Sequence, residues 1–369
     1  MYFLSGLPRS GSTVLAALLN QRNDIHVTPT SGLIDIFGAV VQTWENNPST
    51  KGQRQTNEHL YETLRKLIPV REDRKITVDK SRGWVAPQIQ KTMGEVLGSP
   101  MRIVATVRDV ATCAASFAKI AKPENLAEFC NGHLIGHLKS SYVALHEGYK
   151  EHPKNILFVE YDELMSDPQA VITKIEAFWN LQPFAHDFNN IDGKSVAEDD
   201  ENAWGIAGLH DVNPELKNTG TSPKEILGEF EYRFEAPKFW KGETEPKKDI
   251  LDFQVEAAMR GEFETSEAMC KILLETRPHD DRAAFNRGWY SLRHGNLKEG
   301  FELLDRGRNE NVFGNPNPSS MPKYDGRPLN GEVVLLVLEG GRGDQIHSAR
   351  WAREIVSRGG VCVVSCMPE

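Results

Sequence analysis

Gly6-Leu-Pro-Arg-Ser-Gly-Ser-Thr13 follows directly on the β-type run Tyr2–Ser5 and leads directly into the apolar helical periodicity of Thr13–Leu19. A glycine loop between a strand and a helix lets backbone N–H groups converge on phosphate oxygens, and the positive end of the helix adds roughly half a charge of attraction. Gly6 and Gly11 supply permissive backbone angles, and Pro8 stiffens the turn. Ser10, Ser12 and Thr13 supply hydroxyls, and Arg9 places a planar cation within the loop. A nucleotide-hydrolysing loop reads GxxxxGK followed by Ser or Thr, with Mg²⁺ nearby. Ser12 stands at that Lys position, so ATP or GTP hydrolysis is the weaker reading. The bland alternative is an ordinary strand-to-helix turn.

Outward from this loop to about Trp240, short β-rich runs alternate with longer helical patterns, the signature of βαβ units and a parallel sheet. Strands are expected at Tyr2–Ser5, Lys75–Val78, Arg102–Val107 and Ile156–Glu160. Helical periodicity covers Thr13–Leu19, Leu33–Trp44, Glu58–Ile68, Gln88–Leu97 and Leu126–Tyr149, and Asp167-Pro168 opens another helix running to about Trp179. The expected class is α/β, a P-loop-type open parallel sheet flanked by helices. Asn189–Pro223 is polar and aperiodic, and reads as a long functional surface loop.

Three further segments sit where ligands of open α/β sheets bind, beyond the carboxyl ends of strands. Arg108 closes the strand Arg102–Val107, and Ser116 lies about two turns along the next helix. Val78-Asp79-Lys80-Ser81-Arg82-Gly83-Trp84 closes a second strand, and Phe158-Val-Glu-Tyr161-Asp-Glu-Leu-Met-Ser-Asp-Pro168 a third. On these residues the chain resembles the sulfotransferase family that uses PAPS (3′-phosphoadenosine-5′-phosphosulfate), over about 1–240. The family's 5′-phosphosulfate loop often reads Pro-Arg-Ser-Gly-Ser/Thr-Thr, matched by Pro8 to Thr13. Its 3′-phosphate signature is an Arg at a strand end with a Ser eight positions later, matched by Arg108 and Ser116. Its Lys facing the bridging oxygen is matched by Lys80, and its Tyr-Glu-x-Leu and Asp-Pro segment by Tyr161 to Pro168. The resemblance implies that Pro8, Arg9, Ser10, Gly11, Ser12, Thr13, Arg108, Ser116 and Tyr161 hold the donor. It also implies that Arg9 and Lys80 stabilise charge during transfer to a hydroxyl acceptor on a glycan, protein or small molecule, without a metal.

The catalytic base is where the pattern departs. Tyrosylprotein sulfotransferases carry a Glu shortly after the first helix, whereas Thr28-Pro-Thr-Ser-Gly32 has no carboxylate; cytosolic sulfotransferases carry a His two places after the Lys, whereas this chain has Arg82. Asp79, His210 and His26 are the candidates that remain. The cytosolic enzymes' glycine/Trp-Lys motif is missing as well, and Trp204–Gly220 is expected to serve as a lid. His133, His137 and His146 share one helical pattern with no carboxylate or cysteine set to complete a metal site.

Bulk properties limit the alternatives. A net charge of −9 opposes general binding to nucleic acid or anionic membranes, so an anionic ligand must meet a local cationic pocket. Five scattered cysteines make no disulfide framework, and no apolar run reaches membrane-spanning length, which suits a soluble cytoplasmic protein. After a charged linker, Lys241–Lys248, four short amphipathic helical patterns follow over 249–310. Gly261 and Gly295 lie 34 residues apart (295 − 261), the period of tetratricopeptide repeats, which suits a protein partner. A Pro/Asn/Ser-rich linker, Asn315–Pro322, precedes a partial βαβ unit over 323–369: strand Val333–Glu339, loop Gly340–Gly343, helix Gln345–Ser357 and strand Val361–Cys366. This unit resembles the start of the catalytic domain in repeat-linked glycosyltransferases, and its abrupt end reads as a fragment of a longer chain. The expected organisation is therefore 1–242, 249–310 and 323–369. A P-loop small-molecule kinase and an inactive repeat-bearing scaffold are the competing readings.

Overall fold

The structure is a computed structural model that describes residues 1–50, 54–68, 72–198, 200–218, 220–244, 248–308 and 322–366. Residues 245–247 and 315–321 of the two expected linkers lie outside the described residues. The chain divides into two compact units, Met1–Lys247 and Lys248–Glu369.

In the first unit β1 (Tyr2–Gly6) runs into α1 (Ser12–Leu19), followed by β2 (Ile25–Thr30), α2 (Leu33–Asn46), α3 (Arg54–Leu67), β3 (Ile76–Lys80) and α4 (Pro87–Leu97). Next come β4 (Ile103–Val107), α5 (Val110–Ala121), α6 (Leu126–Cys130), α7 (His133–Glu151), β5 (Ile156–Glu160), α8 (Tyr161–Ser166) and α9 (Pro168–Trp179). Two short helices, α10 (Asp200–Trp204) and α11 (Pro223–Leu227), interrupt the long polar stretch. The five strands form one parallel sheet in the order β2-β3-β1-β4-β5. This is the expected α/β architecture, with one strand more than the sequence reading placed. Ile25–Thr30 escaped it because Pro29 and polar alternation mask an edge strand, where a missing N–H costs no ladder bond.

Strand alternation sends neighbouring side chains to opposite faces, and helices cover both. Phe3 packs against Trp84 on one face, ring centroids 4.8 Å apart, while Leu4 joins α1 and α9 on the other. Trp84 and Trp179 are fully buried anchors, and Tyr2 stacks on Trp179. The long periodicity over 126–149 is divided between α6 and α7 at Asn131-Gly132, since neither residue favours a helix interior. β1 and β4 are direct neighbours, with Gly6 opposite Thr106. A side chain at Gly6 would place its Cβ 2.1 Å from the Thr106 carbonyl oxygen, so only glycine lets the loop leave β1 this close to β4.

The second unit begins with four helices, α12 (Ile250–Met259), α13 (Phe263–Thr276), α14 (Asp281–Arg293) and α15 (Leu297–Asp305), each packed on the next. Gly261 and Gly295 both take left-handed angles, φ +80° and +83°, at the turns after α12 and α14. A parallel pair follows, β6 (Val333–Val337) and β7 (Val361–Ser365), joined through α16 (Arg342–Ser348) and α17 (Trp351–Ser357). The single helix expected over 345–357 is broken at Ala349-Arg350. No helix among the described residues is long and apolar enough to cross a membrane.

Candidate active site

One cleft opens at the carboxyl ends of β1 and β4, and it gathers residues that the sequence keeps far apart. Its walls carry Arg9, Ser12 and Thr13 from the first loop, Arg82 after β3, Arg108 and Ser116 after β4, and Tyr161 at the start of α8. Residues 209–217 of the long polar loop close the remaining side. The two expected anion cradles therefore share one cavity.

Arg9 occupies the left-handed region at φ +62°, a costly conformation for a residue with a side chain, and it lies at the turn of the loop. Its Nε donates to Ser116 Oγ at 3.2 Å, and its Nη1 donates to the Leu209 carbonyl. Burial lowers the Arg9 pKa, and repulsion from Arg108 acts in the same direction. Arg108 lays its guanidinium 3.9 Å from the centre of the Tyr161 ring and donates from Nη1 to the Arg9 carbonyl at 3.4 Å. Its Nε is buried and has no hydrogen-bond partner among the described residues. A buried guanidinium N–H without an acceptor is costly, and a bound anion would supply the acceptor. Arg82 is a third guanidinium on this wall. Its Nη1 lies 2.8 Å from His137 Nε2, and burial brings its pKa down to about 10.

Lys80, 4% exposed, sits just beneath the wall. Its Nζ is 3.3 Å from Thr13 Oγ1 and 2.7 Å from Glu198 Oε1. Burial lowers the Lys80 pKa, and Glu198 opposes that shift. For Glu198 itself burial pushes the carboxyl up, but the Lys80 ammonium and the Thr30 donors outweigh it and hold the group at about 2. The backbone N–H and the hydroxyl of Thr30 both donate to Glu198 Oε1, at 3.0 and 2.7 Å. The stretch Thr28–Gly32, which has no carboxylate of its own, thus receives one from a residue 168 positions away. Sequence reading missed Glu198 because nothing local to an exposed-looking polar loop marks it.

Several expected site residues are placed elsewhere. Asp79 is fully buried and accepts hydrogen bonds from Ser31 Oγ and from Trp84 Nε1 at 2.8 Å. It does not line the cleft; consecutive strand residues point to opposite faces, and the neighbouring Lys80 is the one whose ammonium reaches Thr13 Oγ1 on the cleft wall. These bonds tie Asp79 to the core, and burial raises its pKa. Ser10 is turned into the fold: its Oγ contacts the Leu7 carbonyl and the carbonyl and hydroxyl of Thr106, tying the loop to β4. Neither Ser10 nor Pro8 lines the cleft. His26 lies near the start of β2, opposite Thr77 and away from the strand ends where the cleft opens. His210, in contrast, lines the cleft beside Leu209 and Asp211.

Among the described residues, one group brings three metal-type ligand atoms within 4.8 Å of one another: Glu198, Asp200 and His210. Its positive partner is a protein group, the Lys80 ammonium on Glu198.

No curated protein sequence matches the chain. Among solved structures, the sulfotransferase domain from the Synechococcus PCC 7002 olefin synthase is similar at 16% identity and a TM-score of 0.36, covering 64% of this chain and 95% of that one. A sulfotransferase from Alicyclobacillus acidocaldarius is similar at 15% identity and a TM-score of 0.34, covering 54% and 86%. A mouse sulfotransferase complexed with PAP is similar at 17% identity and a TM-score of 0.32, covering 65% and 80%. The sulfotransferase domain profile matches residues 2–200, a span that takes in the first loop, Lys80, Arg108 and Ser116. That match covers more than half of the chain, and the chain belongs to the sulfotransferase domain family.

Proposed function

We propose that this sulfotransferase takes its sulfuryl group from PAPS and passes it to a hydroxyl acceptor. The reading rests on one observation: two arginines on neighbouring strand ends, Arg9 and Arg108, face a common cleft, and Arg108 Nε lacks an acceptor there. A donor with phosphate at both ends of one adenosine needs two such cradles. Arg9, with Ser12 and Thr13, is assigned to the phosphosulfate, Arg108 and Ser116 to the 3′-phosphate, and Tyr161 to the wall between them. Lys80 is assigned to the oxygen that leaves with the 5′-phosphate, where fixed positive charge lowers the barrier most. Arg82 adds a further cation to the same wall.

The cleft encloses about 120 Å³ of free space, below the roughly 300 Å³ at which small-molecule sites begin. The segment over 209–217 is assigned to a lid over the donor, and the contact from Arg9 to the Leu209 carbonyl is one that its outward movement would break. A lid of this kind excludes water once it recloses. Sulfuryl transfer is assigned to 1–242, and capture of a protein partner to the helices over 249–310.

Calorimetry with 3′,5′-ADP, and transfer from radiolabelled PAPS into phenol, glycan and protein pools, test the reading together. The expected result is 3′,5′-ADP binding that is indifferent to Mg²⁺, with label entering at least one pool. Preference for Mg-ATP would instead assign the cleft to a kinase, and loss of donor binding with retained protein capture would point to a scaffold.

A further inference from the structure

The cleft wall carries one imidazole whose orientation is set by a single carboxylate. His210 Nδ1 lies 2.5 Å from Asp200 Oδ1, and the His210 backbone N–H donates to Asp200 Oδ2 at 2.7 Å. Both oxygens of Asp200 are thus engaged by one residue. A carboxylate on Nδ1 selects the tautomer with its proton there, which leaves the lone pair on Nε2. Nε2 has no hydrogen-bond partner among the described residues, and the ring belongs to the cleft wall. Asp200 and His210 are both buried, so water does not compete for this pair.

We propose that His210 is the general base that removes the acceptor's proton, with Asp200 as its positioning residue. The inference rests on the sulfotransfer reading and deepens it. In the step, the acceptor oxygen forms a bond to sulfur as its proton passes to His210 Nε2. The bond between sulfur and the bridging oxygen breaks, and its electron pair stays on the 5′-phosphate oxygen opposite Lys80. The products are the sulfate ester, 3′,5′-ADP and an imidazolium, which returns its proton to solvent.

The other groups on this wall fit the role less well. Glu198 Oε1 already accepts from Lys80 and twice from Thr30, and a carboxylate held at about 2 is a weak proton acceptor. Arg82, at the position where a related base would stand, is a cation. The charged groups facing His210 are Asp200, Glu198 at 3.5 Å, and Lys80 beyond it; Arg9, Arg82 and Asp211 share the cleft wall. Burial lowers the His210 pKa, Asp200 and Glu198 oppose the shift, and Lys80 reinforces it. With Nδ1 held by Asp200 and the ring on the cleft wall, Nε2 is the atom placed to accept the acceptor's proton.

The test uses the full chain with radiolabelled PAPS and the acceptor pools named above, alongside calorimetry with 3′,5′-ADP. His210→Gln is expected to bind 3′,5′-ADP within about threefold of the parent while transfer falls about 10²- to 10⁴-fold. Asp200→Asn is expected to keep nucleotide binding, lower kcat more than it changes KM, and displace the acid limb of the pH–rate profile. If His210→Gln proves unfolded, the Asp200→Asn profile decides alone, and an unchanged acid limb overturns the proposal. Transfer by His210→Gln at the parent rate overturns it as well. Stimulation by Zn²⁺ that a chelator reverses would overturn it by assigning Glu198, Asp200 and His210 to a metal. A parent protein that neither binds 3′,5′-ADP nor transfers label removes the sulfotransfer reading itself, and this proposal with it.

Discussion

Arg9 and Ser116 touch: the Nε of the loop arginine donates to the serine hydroxyl at 3.2 Å, although 107 residues separate them. One residue belongs to the loop assigned to the phosphosulfate and the other to the pair assigned to the 3′-phosphate, so the contact joins the two ends of the proposed donor site across β1 and β4. A ligand spanning both cradles must insert its own oxygens where these side chains now satisfy each other.

The two arginines should separate by ligand. Arg108→Ala is expected to weaken 3′,5′-ADP by about 10²- to 10³-fold, the loss of one or two charge-assisted hydrogen bonds, and to leave 5′-AMP nearly unchanged. Arg9→Ala is expected to weaken both nucleotides. Calorimetry on the four pairs checks this, and equal losses on 5′-AMP and 3′,5′-ADP for Arg108→Ala would reject the 3′-phosphate assignment.

Glu198→Gln removes the negative partner of the buried Lys80. Leaving such a charge unpaired is expected to cost about 3 kcal/mol of stability in the ligand-free protein. The 5′-phosphate of bound 3′,5′-ADP supplies negative charge in the same place, so the variant should gain more from this ligand in a thermal melt than the parent does. Equal gains would show that Lys80 does not face the ligand.

Asp79→Ala strips the acceptor from Ser31 and from the Trp84 indole within the core. The expected cost is about 2 kcal/mol in urea unfolding, from a buried donor left unmet. Transfer by the folded fraction should stay within about twofold of the parent, since a catalytic acid or base would cost 10²-fold or more. A deep loss of kcat without loss of stability would restore Asp79 to the catalytic set.

His137 provides a pH test of stability. Burial, with Arg82 beside it, brings its pKa from 6.5 down to about 4 in the folded protein. Between those values the unfolded chain takes up the proton and the folded protein does not, so stability is unaffected above about pH 6.5 and falls as pH drops towards 4. Glu198 adds a loss lower down: its folded pKa of about 2 lies beneath the ordinary 4.5, so its contribution is present above 4.5 and disappears as pH falls towards 2. His137→Gln is expected to flatten the fall in urea midpoint between pH 7 and pH 5, and an unchanged slope would count against the half-buried imidazole staying neutral.

The residues assigned to the nucleotide were legible in the sequence because they are local. Gly6 to Thr13 sits between a strand and a helix, and Arg108 with Ser116 sits on the next such junction, so backbone geometry sends both towards the same end of a parallel sheet. Of the half assigned to acid–base chemistry, the sequence offered His210 as a candidate but not Asp200 or Glu198. Asp79 and Lys80 are adjacent on paper, and only strand alternation in a packed sheet directs one into the core and the other beneath the cleft. Glu198, Asp200 and His210 lie in a polar stretch with no periodicity. They acquire partners only because that stretch is laid across the strand ends, where Lys80 and Thr30 pair with Glu198, and Asp200 holds His210. Short-range chemistry between a strand and its own helix is written in adjacent residues, whereas the pairing of charges across a cleft depends on long-range packing that brings residue 30 to residue 198 and residue 80 to both.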